Sequence, residues 1–167
     1  EEDVKGLVIF VVLLFCCFVD SKTTSEFCKQ QNNKTTKPQN KERSSTMNEI
    51  KLSNGVLMPQ MGYGVYQIEP EDCERCVMDA ISVGYRMIDT AQAYLNEEAV
   101  GKAWKKSGVR REDLFLVNKV WHSNYGEGQT MKSIDESLRK LQTDYIDLML
   151  LHQPYCDRYG AYRDLEK

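Results

Sequence analysis

Apolar and polar positions change character twice along the chain. Residues 7–19 form an unbroken apolar run of 13, LVIFVVLLFCCFV. A bilayer-spanning helix takes roughly 17–25 apolar residues, so this run is short for an anchor. It fits the core of a secretory signal, about 7–15 residues, but the flanks oppose that reading. Glu1, Glu2 and Asp3 outweigh Lys5, and no small-x-small cleavage site follows Val19. Residues 20–46 are mostly Ser, Thr, Asn, Gln and Lys. They offer too little apolar surface to offset ordering entropy, which predicts disorder. Asn33-Lys34-Thr35 is a glycosylation sequon that matters only on secretion. Three readings of residues 1–46 stay open: an upstream translated extension before a domain that starts at Met47, a degenerate signal or anchor, or a cytosolic tail. The first and third place the protein in the cytoplasm; the second makes it membrane-anchored or secreted.

From Met47 the pattern is globular. Apolar residues alternate through 50–58 around Asn54-Gly55, a hairpin signal because both turn residues tolerate positive φ. Residues 61–66 read as a short strand. Pro70, Glu71 and Asp72 open a helix, with proline and acids in its first turn and Cys73, Val77, Ala80 and Ile81 as its apolar stripe. Residues 85–89 form a strand. Asn96 is placed to cap a second helix, with Val100, Ala103 and Trp104 inward. After a strand at 114–119, Thr130 is placed to cap a third helix that buries Met131, Ile134, Leu138 and Leu141. The near-continuous apolar stretch 145–151 is of the kind covered on both faces in a parallel sheet, and a fourth helix begins near Tyr159.

Strand ends near Asp89, Lys119 and His152 are 30 and 33 residues apart. That is the length of a βαβ unit, so the expectation is an α/β fold, either doubly wound or a (β/α)₈ barrel. The dinucleotide fingerprint G-x-G-x-x-G fails: Gly62 and Gly64 match, but Gln67 takes the third place and no helix follows at once.

Composition removes further classes. With 22 basic and 25 acidic residues the net charge is -3, which gives no nucleic-acid footprint. The six cysteines (16, 17, 28, 73, 76 and 156) lack metal-ligand spacing, so no metal site is expected. Cys73 and Cys76 fall within a helix and read as packing.

The remaining chemistry sits at strand ends. Asp89, Lys119 and His152 end successive strands, and Tyr94 follows Asp89 in the loop. In a parallel barrel those ends converge on one mouth. A tyrosine with a pKa of about 10 is a weak acid at neutral pH. A neighbouring ammonium favours its phenolate, a carboxylate would hold the ammonium, and a histidine would bond a substrate oxygen. That set suits proton donation to a carbonyl oxygen. His122 reads as solvated or pocket-lining, and Asp147 as structural.

Several stretches together resemble the aldo/keto reductase family. They are Ile88-Asp89-Thr90-Ala91-Gln92-Ala93-Tyr94 with Asn96-Glu97-Glu98-Ala99-Val100-Gly101, then Lys119-Val120-Trp121, Asp144-Tyr145-Ile146-Asp147-Leu148 and Leu150-Leu151-His152-Gln153-Pro154. Leu52-Ser53-Asn54-Gly55 with Pro59 and Gly62 resembles the family's opening hairpin. The resemblance implies a (β/α)₈ TIM barrel that moves a hydride from a nicotinamide cofactor, usually NADPH, to an aldehyde or ketone. The choice between NADPH and NADH stays open.

On the family's pattern Tyr94 is the proton donor, Lys119 and Asp89 tune it, and His152 orients the carbonyl. Cofactor contacts fall at Asp89, Gly64 and Val65, and substrate contacts at His152, Tyr66 and Trp121. Tyr66 and Gln153 stand where tryptophans are common, which leaves the substrate open. Residues 47–167 supply four of eight implied strands, and the family's grip on the cofactor's phosphates and adenosine comes mostly from later ones. The alternative is therefore a non-catalytic fragment or interaction module that does not bind the cofactor alone. Its open first and fourth strand edges would invite pairing with another chain.

Overall fold

The computed structural model describes residues 48–167; the expectations for residues 1–46 lie outside the described residues. A two-stranded antiparallel hairpin comes first, β1 (Glu49–Lys51) and β2 (Leu57–Pro59), with Ile50 opposite Met58. The expected tight Asn-Gly turn is corrected here. Pairing Lys51 with Leu57 leaves residues 52–56 in the loop, and of the Asn-Gly pair only Gly55 takes positive φ, at 90°. Asn54 contributes its side chain instead: Oδ1 accepts from the Val56 N–H at 3.1 Å, the local bond that favours Asn in turns.

Four parallel strands follow in sequential order, β3 (Gly62–Gly64), β4 (Met87–Asp89), β5 (Phe115–Val120) and β6 (Leu148–Leu151). The helices between and after them are α1 (Pro70–Ser82), α2 (Glu97–Ser107), α3 (Gln129–Leu141) and α4 (Arg158–Leu165). This is the α/β alternation expected from the 30-residue rhythm. Among the described residues, no helix is long and apolar enough to cross a membrane.

Strand alternation divides the core into two layers. Ile88, Leu116, Val120 and Met149 face the helices and pack with Val77, Val100, Trp104 and Leu141. Phe115, Val117 and Leu150 face the other way, against Met87, Leu148 and the hairpin's Leu52 and Met58. Period two then carries Asp89 onto the face of Met87, Lys119 onto that of Phe115 and Val117, and His152 onto that of Leu148 and Leu150. The three groups thus share the face opposite the helices, at the C-terminal strand ends.

The helices repeat one logic with local departures. Pro70 opens α1, whose buried side includes Cys73, Cys76, Val77, Ala80 and Ile81. Cys73 is a free thiol pushed up to about 12 by burial and by Cys76 beside it, so it carries no thiolate at neutral pH. Gly101 lies where α2 crosses α3; a Cβ there would collide with the backbone of Lys140 and Leu141. Trp104 Nε1 donates to Leu141 O at 2.7 Å across the same contact.

Two capping expectations are corrected. Asn96 makes no side-chain cap on α2; it is buried and donates to Val65 O at 2.9 Å and Ile68 O at 3.0 Å, tying the end of β3 to the start of α2. Thr130 lies inside α3, fully buried, and donates to Asn124 O at 3.0 Å. Asp164 of α4 caps α3 instead, accepting from the Gly128 N–H at 2.7 Å and the Met131 N–H at 3.3 Å. Met131, expected inside, is exposed, while Ile134 and Leu138 pack on the core and Leu141 is buried. The buried stripe therefore runs through Thr130, Ile134, Ser137, Leu138 and Leu141, with Thr130 in place of Met131.

Candidate active site

The C-terminal ends of β4, β5 and β6 open into short loops. After Asp89 the chain enters a 3₁₀ turn, Gln92–Tyr94, which Leu95 ends with a left-handed φ of 58°. The turn sends Tyr94 back over the sheet. There Lys119 Nζ forms an ion pair with Asp89 Oδ1 and donates to Thr90 O at 3.1 Å and to Tyr94 Oη at 3.3 Å. An ammonium has three donors and no acceptor. Its third bond falls on the phenol oxygen.

His152 completes the group. Its backbone N–H donates to Val120 O at 3.1 Å, which continues the β5–β6 ladder by one residue. Its ring stands between two aromatics, edge-on to Tyr94 at 5.7 Å and to Trp121 at 5.1 Å between centroids. Burial first, and the Lys119 ammonium second, hold the imidazole below its ordinary 6.5, so it is neutral at neutral pH. Its Nδ1 is buried and has no hydrogen-bond partner within the described residues. Tyr66 also packs on Tyr94, with ring centroids 5.0 Å apart, and is mostly exposed.

The structure therefore gathers Asp89, Tyr94, Lys119, His152, Tyr66 and Trp121 at one sheet end. Gly64 pairs in register with Asp89, and among the described residues nothing lies within 4 Å of where a Cβ would stand on it. Val65 is placed differently: its side chain is fully buried, its N–H donates to Asp89 O at 3.0 Å, and its carbonyl accepts from Asn96. His122 stacks on Trp121 at 4.3 Å, with Cys156 Sγ 3.9 Å from its Nδ1, at the rim.

Some supporting residues carry no sequence signal of their role. Tyr125 Oη donates to Gln153 O at 2.9 Å and accepts from the Gln153 N–H at 3.1 Å, fixing the chain just after His152. Behind β5, buried Asn118 donates to Glu97 Oε1 at 2.9 Å and accepts from the Lys119 N–H at 2.8 Å. Lys140 Nζ stands 3.5 Å from the other Glu97 oxygen, which gives this buried carboxylate a counter-charge. Gln92 lies within the Ile88–Tyr94 stretch that carries the resemblance, with no role assigned to it there, and it bonds across to the loop after β5.

Comparison with known proteins gives this arrangement a lineage. Residues 51–167 match the model of the aldo/keto reductase family. The chain is 46% identical over 126 residues to a glyoxal reductase of Bacillus subtilis, covering 74% of this chain and 46% of that protein. It is 49% identical over 105 residues to a methylglyoxal reductase of Escherichia coli, covering 63% of this chain and 38% of that one. The chain thus spans less than half the length of these curated relatives. Among solved structures, an aldo/keto reductase of Brucella melitensis superposes with a TM-score of 0.68 at 44% identity, over 72% of this chain and 48% of that one. An aldo-keto reductase of Bombyx mori in complex with NADP superposes with a TM-score of 0.65 at 31% identity, over 70% and 46%. The parallel sheet described above is accordingly part of a TIM barrel, and with most of its described length matched by the family model, the chain belongs to the aldo/keto reductase family.

Proposed function

We propose that this chain carries the acid–base part of a site that reduces an aldehyde or ketone with NADPH, Tyr94 giving the proton. The observation that carries the reading is the placement of Lys119 Nζ, which holds Asp89 and reaches Tyr94 Oη at 3.3 Å. A bound nicotinamide supplies a hydride to the carbonyl carbon, with NADH as the alternative source. The proton that must reach the carbonyl oxygen comes from the Tyr94 hydroxyl, and Lys119 stabilises the phenolate left behind. Neutral His152 hydrogen-bonds the carbonyl oxygen and orients it, while Trp121 and Tyr66 flank the substrate.

The residues present fit a nicotinamide. Among the described residues, Gly64 leaves open space beside the Asp89 carboxylate, and the buried His152 Nδ1 has no hydrogen-bond partner, which marks an incompletely satisfied polar site. Gly64 and Asp89 would border the cofactor, and Val65 would support it from the core through Asn96. By likeness to the glyoxal and methylglyoxal reductases, small aldehydes with a neighbouring carbonyl are the proposed substrates. Among the described residues Cys73 and Cys156 are free thiols, which suits a reducing compartment such as the cytoplasm.

The test is NADPH oxidation with methylglyoxal, using the chain with the remaining barrel strands supplied. Tyr94→Phe should lower turnover by roughly 10²–10⁴; near-normal turnover would overturn the assignment.

The half-length match supports a second reading: these residues alone hold the acid–base group but bind the cofactor poorly, and β3 and β6 pair with further strands as open edges. Titrating NADPH into the 167-residue chain, followed by nicotinamide fluorescence, separates the two. Micromolar binding by the chain alone excludes the second reading.

A further inference from the structure

Gln92 stands two residues before Tyr94 in the same 3₁₀ turn, and its side chain leaves the turn toward the neighbouring loop. Oε1 accepts from the Trp121 backbone N–H at 2.9 Å and from Asn124 Nδ2 at 2.9 Å. Nε2 donates to Ser133 O at 3.2 Å and lies 3.2 Å from Ser133 Oγ and 3.1 Å from Ser137 Oγ on α3. A side-chain amide has two acceptor lone pairs and two protons, and here both ends are fully engaged. A backbone N–H can only donate, so the Trp121 contact also fixes which end of the amide is oxygen.

The place of these bonds matters more than their number. β5 ends at Val120, so Trp121 is the first residue beyond the strand, and its N–H is held by Gln92 rather than by a neighbouring strand. Trp121 and Tyr94 are the two aromatics that enclose His152. One amide therefore joins the turn bearing the proton donor to the backbone of the opposite wall. The acid–base contacts are anchored separately, since Lys119 is positioned by Asp89 and Thr90 O.

We infer that Gln92 is a positioning residue that locks the Tyr94 turn to the Trp121 backbone and so sets the width of the pocket around His152. The role of that pocket in holding a carbonyl rests on the function proposed above; the lock does not. With the lock intact, the pocket has a fixed width and discriminates aldehydes by size. With it broken, the Trp121 loop moves relative to Tyr94, and the loss falls on substrate affinity more than on proton transfer.

Amide hydrogen exchange on the 167-residue chain tests the lock directly. Gln92→Ala should speed exchange of the Trp121 N–H by roughly tenfold, the effect of losing one hydrogen bond at a half-buried site. The Trp104 indole N–H, bonded to Leu141 O, serves as an internal control and should keep its rate. Gln92→Glu keeps the two acceptor contacts but loses the donor to Ser133 O, and should leave Trp121 clearly better protected than Gln92→Ala does. Equal Trp121 rates in the wild type and Gln92→Ala would overturn the lock. So would equal acceleration at Trp121 and Trp104 in both variants, because Gln92 would then only support the fold.

Kinetics of the barrel-complete protein give the functional readout. Gln92→Ala should change the ratio of KM for an aromatic aldehyde to KM for methylglyoxal by roughly fivefold, and Gln92→Glu should restore it. A fall in kcat with that ratio unchanged would overturn the proposed control of width. Absence of turnover in the wild type would count against the proposed function alone, with the exchange rates still deciding the lock.

Discussion

At the N-terminal end of the sheet Arg111 Nη2 meets Asp147 Oδ2 at 2.7 Å; at the C-terminal end Lys119 Nζ meets Asp89 Oδ1. Both pairs bridge neighbouring parts of one parallel sheet, and their cations are equally sheltered at 11% exposure. They differ in where the other bonds go. Arg111 also donates to Thr143 Oγ1, Leu114 O and Tyr145 O, each at 2.9 Å, and stacks on the Tyr145 ring. Asp147 Oδ2 takes the Leu116 N–H at 2.8 Å as well. This pair is spent on backbone groups that would otherwise be orphaned, which is a structural use. Lys119 instead directs a donor at a side-chain hydroxyl, and its carboxylate partner is 38% exposed against 17% for Asp147. A charge pair with a partly open carboxylate and a contact to a titratable third group is the arrangement on which the proposed proton transfer rests.

The widest separation between the two ends should come from Lys119→Met. Reduction by the barrel-complete protein is expected to fall by roughly 10²–10⁴, with the urea midpoint of the chain little changed. A large loss of stability with turnover retained would reverse the distinction. Asp147→Ala should do the opposite, costing about 3 kcal/mol of unfolding free energy by stranding the Arg111 charge and the Leu116 N–H. Arg111→Lys is expected to cost less, about 1–2 kcal/mol, because charge is retained while the planar fork that serves several carbonyls is lost. Urea unfolding of the two variants side by side checks that order.

The smallest effect is one of pH. The folded His152 imidazole lies below 6.5, so as pH falls through 6.5 the unfolded chain takes up the proton first. Stability from this group is full above 6.5 and declines below it, until the folded imidazole also protonates. His152→Gln should reduce the slope of unfolding free energy between pH 7 and pH 5, and an unchanged slope would assign it to other groups.

Much of the sheet and half of the site were legible because they depend on local period. Alternation in 115–120 puts Lys119 on the face of Phe115 and Val117, and the same rule places Asp89 and His152. The helix starting at Pro70 followed from proline and acids in its first turn. Thr130 and Asn96 misled for one reason: each has the residue type of a cap, but a buried polar side chain bonds whatever unsatisfied group packing brings near it. For Asn96 these were Val65 O and Ile68 O; for Thr130 it was Asn124 O.

By itself the sequence determined the order of strands and helices, the face on which Asp89, Lys119 and His152 lie, and the family to which they point. These follow from spacings of two, three or four residues and from contiguous words. Only the tertiary structure decided that Tyr94 turns back to Lys119, that Asp164 caps α3, and that Gln92 holds Trp121. Those bonds join residues 25, 36 and 29 positions apart. Their partners are selected by how packed layers bring backbone groups together, and no local period along the chain encodes that.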